Sequence, residues 1–194
     1  MTSTTMLPGA FAAPGERRQI YNPVQKDSAT FIQTSAESGG ERTLIEIEVA
    51  PGGGTTPHYH LSYDEHFEVV QGGLDVVTGG IRHTLGPGDK AVALRNTLHT
   101  FHNSTGGPTT FLVELRPGSE GFEKALNVAY GLARDGQVRG NGLPRNPLHL
   151  ALLLEWGEGR VPGVATLLAP VFRLLAKEAR RRGVDQELER RYCH

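Results

Sequence analysis

The sequence predicts a mainly β protein, a sandwich or small barrel of short antiparallel strands that ends in α-helices, and three observations carry that reading. From about residue 18 to Pro117, apolar and polar residues alternate in short runs. Gly-Gly pairs and a Gly-Pro-Gly-Asp segment punctuate those runs at regular spacing, as turns between strands do. After Ser119 the alternation gives way to apolar residues at helical spacing. The composition agrees: 25 glycines and 12 prolines among 194 residues, with 38% hydrophobic content, favour frequent turns over a helical bundle.

Residues 1 to 17 are rich in Thr, Gly, Ala and Pro without periodicity and are expected to form a flexible N-terminal arm or a strand that drapes over a neighbour. Residues 18–117 form the β unit. SATFIQTSA and RTLIEIEVA read as strands joined by the turn SGGE, the second strand setting Ile45, Ile47 and Val49 against Leu44, Glu46 and Glu48. HFEVVQGGLDVVTGGIRHTLGPGDKAVAL then reads as four strands separated by glycine turns, and HTFHNSTGGPTTFLVELRP as a final hairpin. Residues 118–194 form a helical extension. Ser119 is placed to cap a helix that carries Phe122, Leu126, Ala129, Tyr130 and Ala133 and stops at Asp135-Gly136. Leu148 to Trp156 is a second helix. Gly163 to Gly183 is a third, with Val164, Leu167, Leu168, Val171, Leu174 and Leu175 as its apolar face, kinked or restarted at Pro170. The last turn, VDQELERRYCH, is expected to fray.

Several function classes fall away. A net charge of -1 offers no attraction for nucleic acid or an anionic membrane, so a small molecule is the expected partner. The segment GEGRVPG is too long to join a DNA-reading helix pair. The glycine pairs lack the Lys-Ser/Thr and following helix of a phosphate loop. No apolar run reaches the ~20 residues of a membrane span. The N-terminus lacks the basic and apolar regions of a secretory leader, and Cys193, the only cysteine, precludes an internal disulfide, so a cytoplasmic protein is expected.

The chemistry concentrates in HYHLSYDEHF, residues 58 to 67. His58 and His60 are two apart and share one face of an extended chain. After a bend over Leu61 to Asp64, Glu65, Phe67 and Val69 share a side, and His99 lies on a later strand with Phe101 and Asn103. Three imidazoles and a carboxylate converging on one cavity suit Fe, Mn, Ni, Cu or Zn as a divalent ion and leave coordination positions open. Side chains kept at such a cost without pairing or coordination are uncommon.

These residues resemble the cupins. The first cupin motif, Gly-x5-His-x-His-x3-4-Glu-x6-Gly, is matched by Gly52, His58, His60, Glu65 and Gly72. The second, Gly-x5-Pro-x-Gly-x2-His-x3-Asn, is matched at Gly88, His99 and Asn103, with Leu94 and Asn96 standing where Pro and Gly are usual. Asn tolerates a positive φ, so Asn96 is expected to make the same turn. The resemblance spans residues 40 to 117. It implies a double-stranded β-helix, or jelly-roll barrel, with one divalent transition metal per chain held by His58, His60, Glu65 and His99, and a homodimer built through barrel edges. It also implies a small oxygen-bearing organic substrate, handled by dioxygenase-like oxidoreductase chemistry or by isomerisation or decarboxylation. The ligands do not choose among these, and no catalytic residue is assigned. A non-catalytic barrel that stores or senses a small ligand is the alternative.

By strand alternation His66 and His102 point outward, and His83 can face either way. Tyr59 and Tyr63 flank the ligands, either at the mouth or as exposed loop residues. Phe67, Val69 and Phe101 form an apolar wall, Asn103 or Asp64 is placed to hold a ligand imidazole, and Glu114 is the spare carboxylate. The helices can pack on the barrel wall, cover its mouth or pair with a second subunit.

Overall fold

A computed structural model describes residues 19–160 and 168–193. The expected N-terminal arm lies outside the described residues. Eleven strands are described: β1 (Gln19–Asn22), β2 (Asp27–Gln33), β3 (Thr43–Val49), β4 (Tyr59–His60), β5 (Asp64–Gln71), β6 (Leu74–Thr78), β7 (Ile81–Leu85), β8 (Lys90–Ala93), β9 (His99–His102), β10 (Thr109–Arg116) and β11 (Gly159–Arg160). Six of them form one sheet in the order β1-β2-β3-β10-β5-β8, and a second sheet runs β7-β6-β9. All described pairings are antiparallel, and β1, β3, β5, β8 and β10 alternate buried residues with more exposed ones, as expected of a sheet with one face on a core. β10 sits between β3 and β5, with Leu115 opposite both Thr43 and Glu65. Ile45, Ile47, Val49, Phe67, Val69, Val76, Phe101, Phe111 and Val113 fill the space inside.

The turns are made as the sequence requires. Gly79 and Gly80 have φ of 59° and 83°, the two left-handed positions of a tight hairpin turn. Asn96 takes φ 63°, so it supplies the turn before His99 that glycine supplies in the motif.

Four helices are described: α1 (Glu120–Arg134), α2 (Pro147–Trp156), α3 (Ala169–Arg181) and α4 (Val184–Tyr192). Ser119 caps α1, its Oγ accepting from Phe122 N, with Glu120 and Glu123 in the first turn. This helix is apolar on two sides. Phe122, Leu126, Ala129 and Tyr130 pack on the barrel core, whereas Val128, Leu132 and Ala133 join a second core with α2, α3 and α4. The helices therefore lie against their own barrel through α1.

Pro170 stands in the first turn of α3, where its missing N–H costs nothing, so the described helix begins there, the restart that is one of the two expected outcomes; Val164 and Leu167 lie outside the described residues. Two other expectations for the helical region need correction. The buried side of α3 is Phe172, Leu175, Ala176 and Ala179, while Val171 and Leu174 are 48% and 69% exposed. Small residues let α2 and α3 approach closely, so alanine marks the contact where the larger aliphatic side chains were expected to. The last turn does not fray: it is α4, and Tyr192 is 2% exposed.

Tyr192 lies over Gly131 of α1, filling the space where a side chain would be, and its hydroxyl donates to Asp135 Oδ2 at 2.9 Å. A Cβ at Gly131 would overlap the Tyr192 ring. Gly131→Ala, though favourable for an isolated helix, is expected to destabilise the protein by about 1–3 kcal/mol, because overpacking outweighs helix propensity. Urea denaturation would show a lower midpoint with an unchanged slope.

Candidate metal centre

The ligand strands are positioned by backbone pairing. His58 and His99 exchange both backbone hydrogen bonds, at 3.0 and 2.8 Å, which brings the two motif strands together. His60 follows on β4, Glu65 begins the inward row of β5, and His99 opens β9. One ligand atom from each of His58, His60, Glu65 and His99 lies within 4.8 Å of the others, so the expected residues do converge. His60, Glu65 and His99 are buried, while His58 retains some exposure at the open side.

Hydrogen bonds fix which nitrogen of each ring faces the centre. Nδ1 of His58 lies 2.8 Å from Thr56 O, and Nδ1 of His99 lies 2.9 Å from Thr97 O. A carbonyl only accepts, so each Nδ1 carries its proton and Nε2 presents a lone pair. Nδ1 of His60 lies 2.7 Å from the Tyr63 hydroxyl. Nε2 of His60 is 3.0 Å from Glu65 Oε1 and Nε2 of His99 is 3.3 Å from Oε2, yet neither buried nitrogen has a hydrogen-bond partner. Lone pairs facing a carboxylate across such distances repel unless a proton or a metal cation stands between them. The donor set therefore fits a divalent cation, by the test of orphaned buried nitrogens and by ligand type.

Protonation follows the same geometry. Burial, with the neighbouring His60 and His99, lowers the His58 pKa to about 4, so its ring remains neutral and able to ligate. Burial raises the Glu65 pKa, but His60 and His99 outweigh it and hold the carboxyl well below its usual range. For His99, burial lowers the pKa, and the facing Glu65 carboxylate more than reverses it.

The family model described as "Cupin domain" matches residues 45–114. Residues 45–114 are a cupin domain. Among solved structures, the chain is similar to KdgF from Halomonas sp. at 21% identity, covering 58% of this chain and 96% of that one with a TM-score of 0.49. It is similar to a sugar phosphate isomerase from Silicibacter pomeroyi at 24% identity, covering 52% and 71% with a TM-score of 0.45. It is also similar to the polyketide cyclase RemF from Streptomyces resistomycificus at 22% identity, covering 55% and 78% with a TM-score of 0.46. No curated protein matches the chain.

Around the cupin ligands, some expected neighbours take other parts. Asn103 turns away from the imidazoles, donating to Val49 O and Gly107 O, both at 2.9 Å. Asp64 accepts from Arg95 N at 2.7 Å and orders the turn before His99. Glu114 faces outward and pairs with Arg116 and Arg42, which also lower its pKa against its partial burial. His102 is exposed, as alternation requires, and Phe67 lies beside His99, their ring centroids 6.3 Å apart, with Phe101 packed against Phe67.

Tyr63, expected at the mouth or exposed, is 1% exposed beside His60, with ring centroids 4.5 Å apart. Burial and the nearby Glu65 keep its phenol protonated. A signal existed: Tyr63 is two residues before Glu65, so the inward row of β5 extends back through it. Phe122 of α1, whose ring centroid lies 6.0 Å from that of His60, and Gly157 after α2 carried no such signal.

Proposed function

We propose that this protein is a metal-dependent cupin enzyme acting on a small oxygen-bearing organic substrate. The observation that supports this most is the set of imidazole Nε2 lone pairs turned toward Glu65, with two of the nitrogens buried and lacking a hydrogen-bond partner. His58, His60, Glu65 and His99 would hold one divalent transition metal, Fe, Mn, Ni, Cu or Zn. Such an ion supplies Lewis-acid polarisation or, with Fe or Cu, dioxygen chemistry. The chain's own residues contribute the rest. Phe67, Phe101 and Phe111 pack as an apolar core beneath the ligands and exclude water from that side, and half-buried His58 marks the side from which a substrate enters.

In this reading residues 18–117 carry the chemistry and residues 118–194 close the structure over it. We place the protein in the cytoplasm; no helix among the described residues is long and apolar enough to cross a membrane. We also propose a homodimer through the barrel edge, supported by exposed Val70, Val92 and Leu94 around edge strand β8. The outward turn of Glu114 removes the spare strand carboxylate from the cavity, which favours the second reading, a barrel that binds a small ligand without converting it.

Elemental analysis of protein purified without added ions tests the metal. About one equivalent of transition metal is expected, with a higher melting temperature on loading. Trace metal together with no thermal shift from any of the five ions overturns the metal reading. Oxygen uptake and product analysis across enols and phenols then separate enzyme from binder.

A further inference from the structure

We infer that Tyr63 is a positioning residue of the metal centre, held in place by the Gly157 carbonyl of the helical region. The inference rests on the metal reading above and extends it to residues outside the ligand motifs. His58 and His99 each take their Nδ1 partner from a carbonyl two residues back in the chain. His60 does not. Its Nδ1 lies 2.7 Å from Tyr63 Oη and 3.2 Å from Gly157 O, a residue 97 positions later in the chain.

A phenol has one proton to give and lone pairs to receive. Tyr63 Oη lies 2.7 Å from Gly157 O, which can only accept, so the phenol proton goes there. The phenol oxygen is then free to accept from His60 Nδ1–H. The relay runs from His60 Nδ1–H to Tyr63 O–H to the Gly157 carbonyl, and it selects the tautomer whose Nε2 lone pair faces Glu65. The reverse arrangement, with Tyr63 donating to Nδ1, would leave the buried Gly157 without that donor and place a proton on the nitrogen needed for ligation. Packing holds the geometry: Tyr63 stacks on His60, and Phe122 closes on both rings edge-on at 6.0 and 5.7 Å. β11 pairs with β4 beside it, Gly159 opposite His60 and Arg160 opposite Tyr59, so the chain leaving α2 is fastened to the strand that carries the ligand.

Tyr63→Phe keeps the ring and deletes the relay. Competition with a chromophoric chelator is expected to show Zn(II) affinity about 10–100-fold below wild type, the range for loss of a group that orients a ligand. Cobalt(II) in place of zinc is expected to show shifted visible bands in this variant, a change that looser packing alone would not produce. Tyr59→Phe, one residue from His60 on the alternate face, serves as a control and is expected to match wild type in both measurements. Wild-type affinity and an unshifted cobalt spectrum in Tyr63→Phe overturn the inference. Failure of the wild type to bind either ion would instead overturn the metal reading itself. Should Tyr63→Phe lose its circular-dichroism signature, nitrogen-15 NMR of the zinc-loaded wild type decides. A His60 Nδ1 proton protected from exchange supports the relay, and an unprotected one overturns it.

Discussion

His60→Ala is expected to lose metal binding while the barrel remains folded. The substitution removes one of four donors, so affinity should fall by more than the roughly 100-fold that loss of a supporting group causes. Folding survives because β4 is short and the core of Phe67, Val69, Phe101 and Phe111 does not depend on the imidazole. Wild-type protein at a metal concentration about 100 times the dissociation constant gains roughly 2.7 kcal/mol of stability, and the variant should gain none. Elemental analysis together with melting curves recorded with and without metal measures both effects. Full metal content in His60→Ala would show that the ligand set is wrongly assigned.

A second large effect is expected at the seam between the barrel and α1. Asp27 is 1% exposed; Oδ2 accepts from the Tyr130 hydroxyl at 2.9 Å, and Oδ1 has no partner. Burial raises its pKa from 3.8 to about 7, against the smaller lowering by Tyr130. Below about pH 4 the carboxyl is protonated whether the chain is folded or not, and the shift has no effect on stability. Between about pH 4 and 7 the unfolded chain ionises Asp27 while the fold keeps it neutral, so stability falls by about 1.4 kcal/mol per pH unit. The total loss is about 4 kcal/mol and is complete above pH 7. Asp27→Asn removes this slope. Denaturant unfolding of both proteins at pH 5 and pH 8 should therefore show the variant gaining on wild type at the higher pH. Parallel changes in the two proteins would show that Asp27 ionises as readily in the fold as out of it.

Much of the cupin architecture is legible in the sequence because local rules govern it. Alternation along a strand decides which side chains face inward, and it assigns Glu65, Phe67, Val69, His99 and Phe101 to the barrel interior without knowledge of the sheet order. Turn chemistry does the same for Asn96, whose positive φ follows from a side chain that tolerates the left-handed region. What escapes is decided at long range. Whether Tyr192 frays or packs depends on Gly131, sixty-one positions earlier and lacking the side chain that would block it. The buried side of α3 is set by how closely another helix approaches, which favours Ala176 and Ala179 over larger neighbours. The partner of His60 Nδ1 is a backbone carbonyl, and a carbonyl leaves no trace in residue identity.

The fastening of His60 by Gly157 also has an order in time. During synthesis His58, His60, Glu65 and His99 are all made before the carbonyl that fixes one of them. At about 5–20 residues per second, the interval from His99 to Gly157 is roughly 3–12 s. A nascent barrel that closes within it has a complete set of donors but one imidazole free to flip between tautomers. The finished centre therefore belongs to the whole chain, and is set only once synthesis has passed the end of α2.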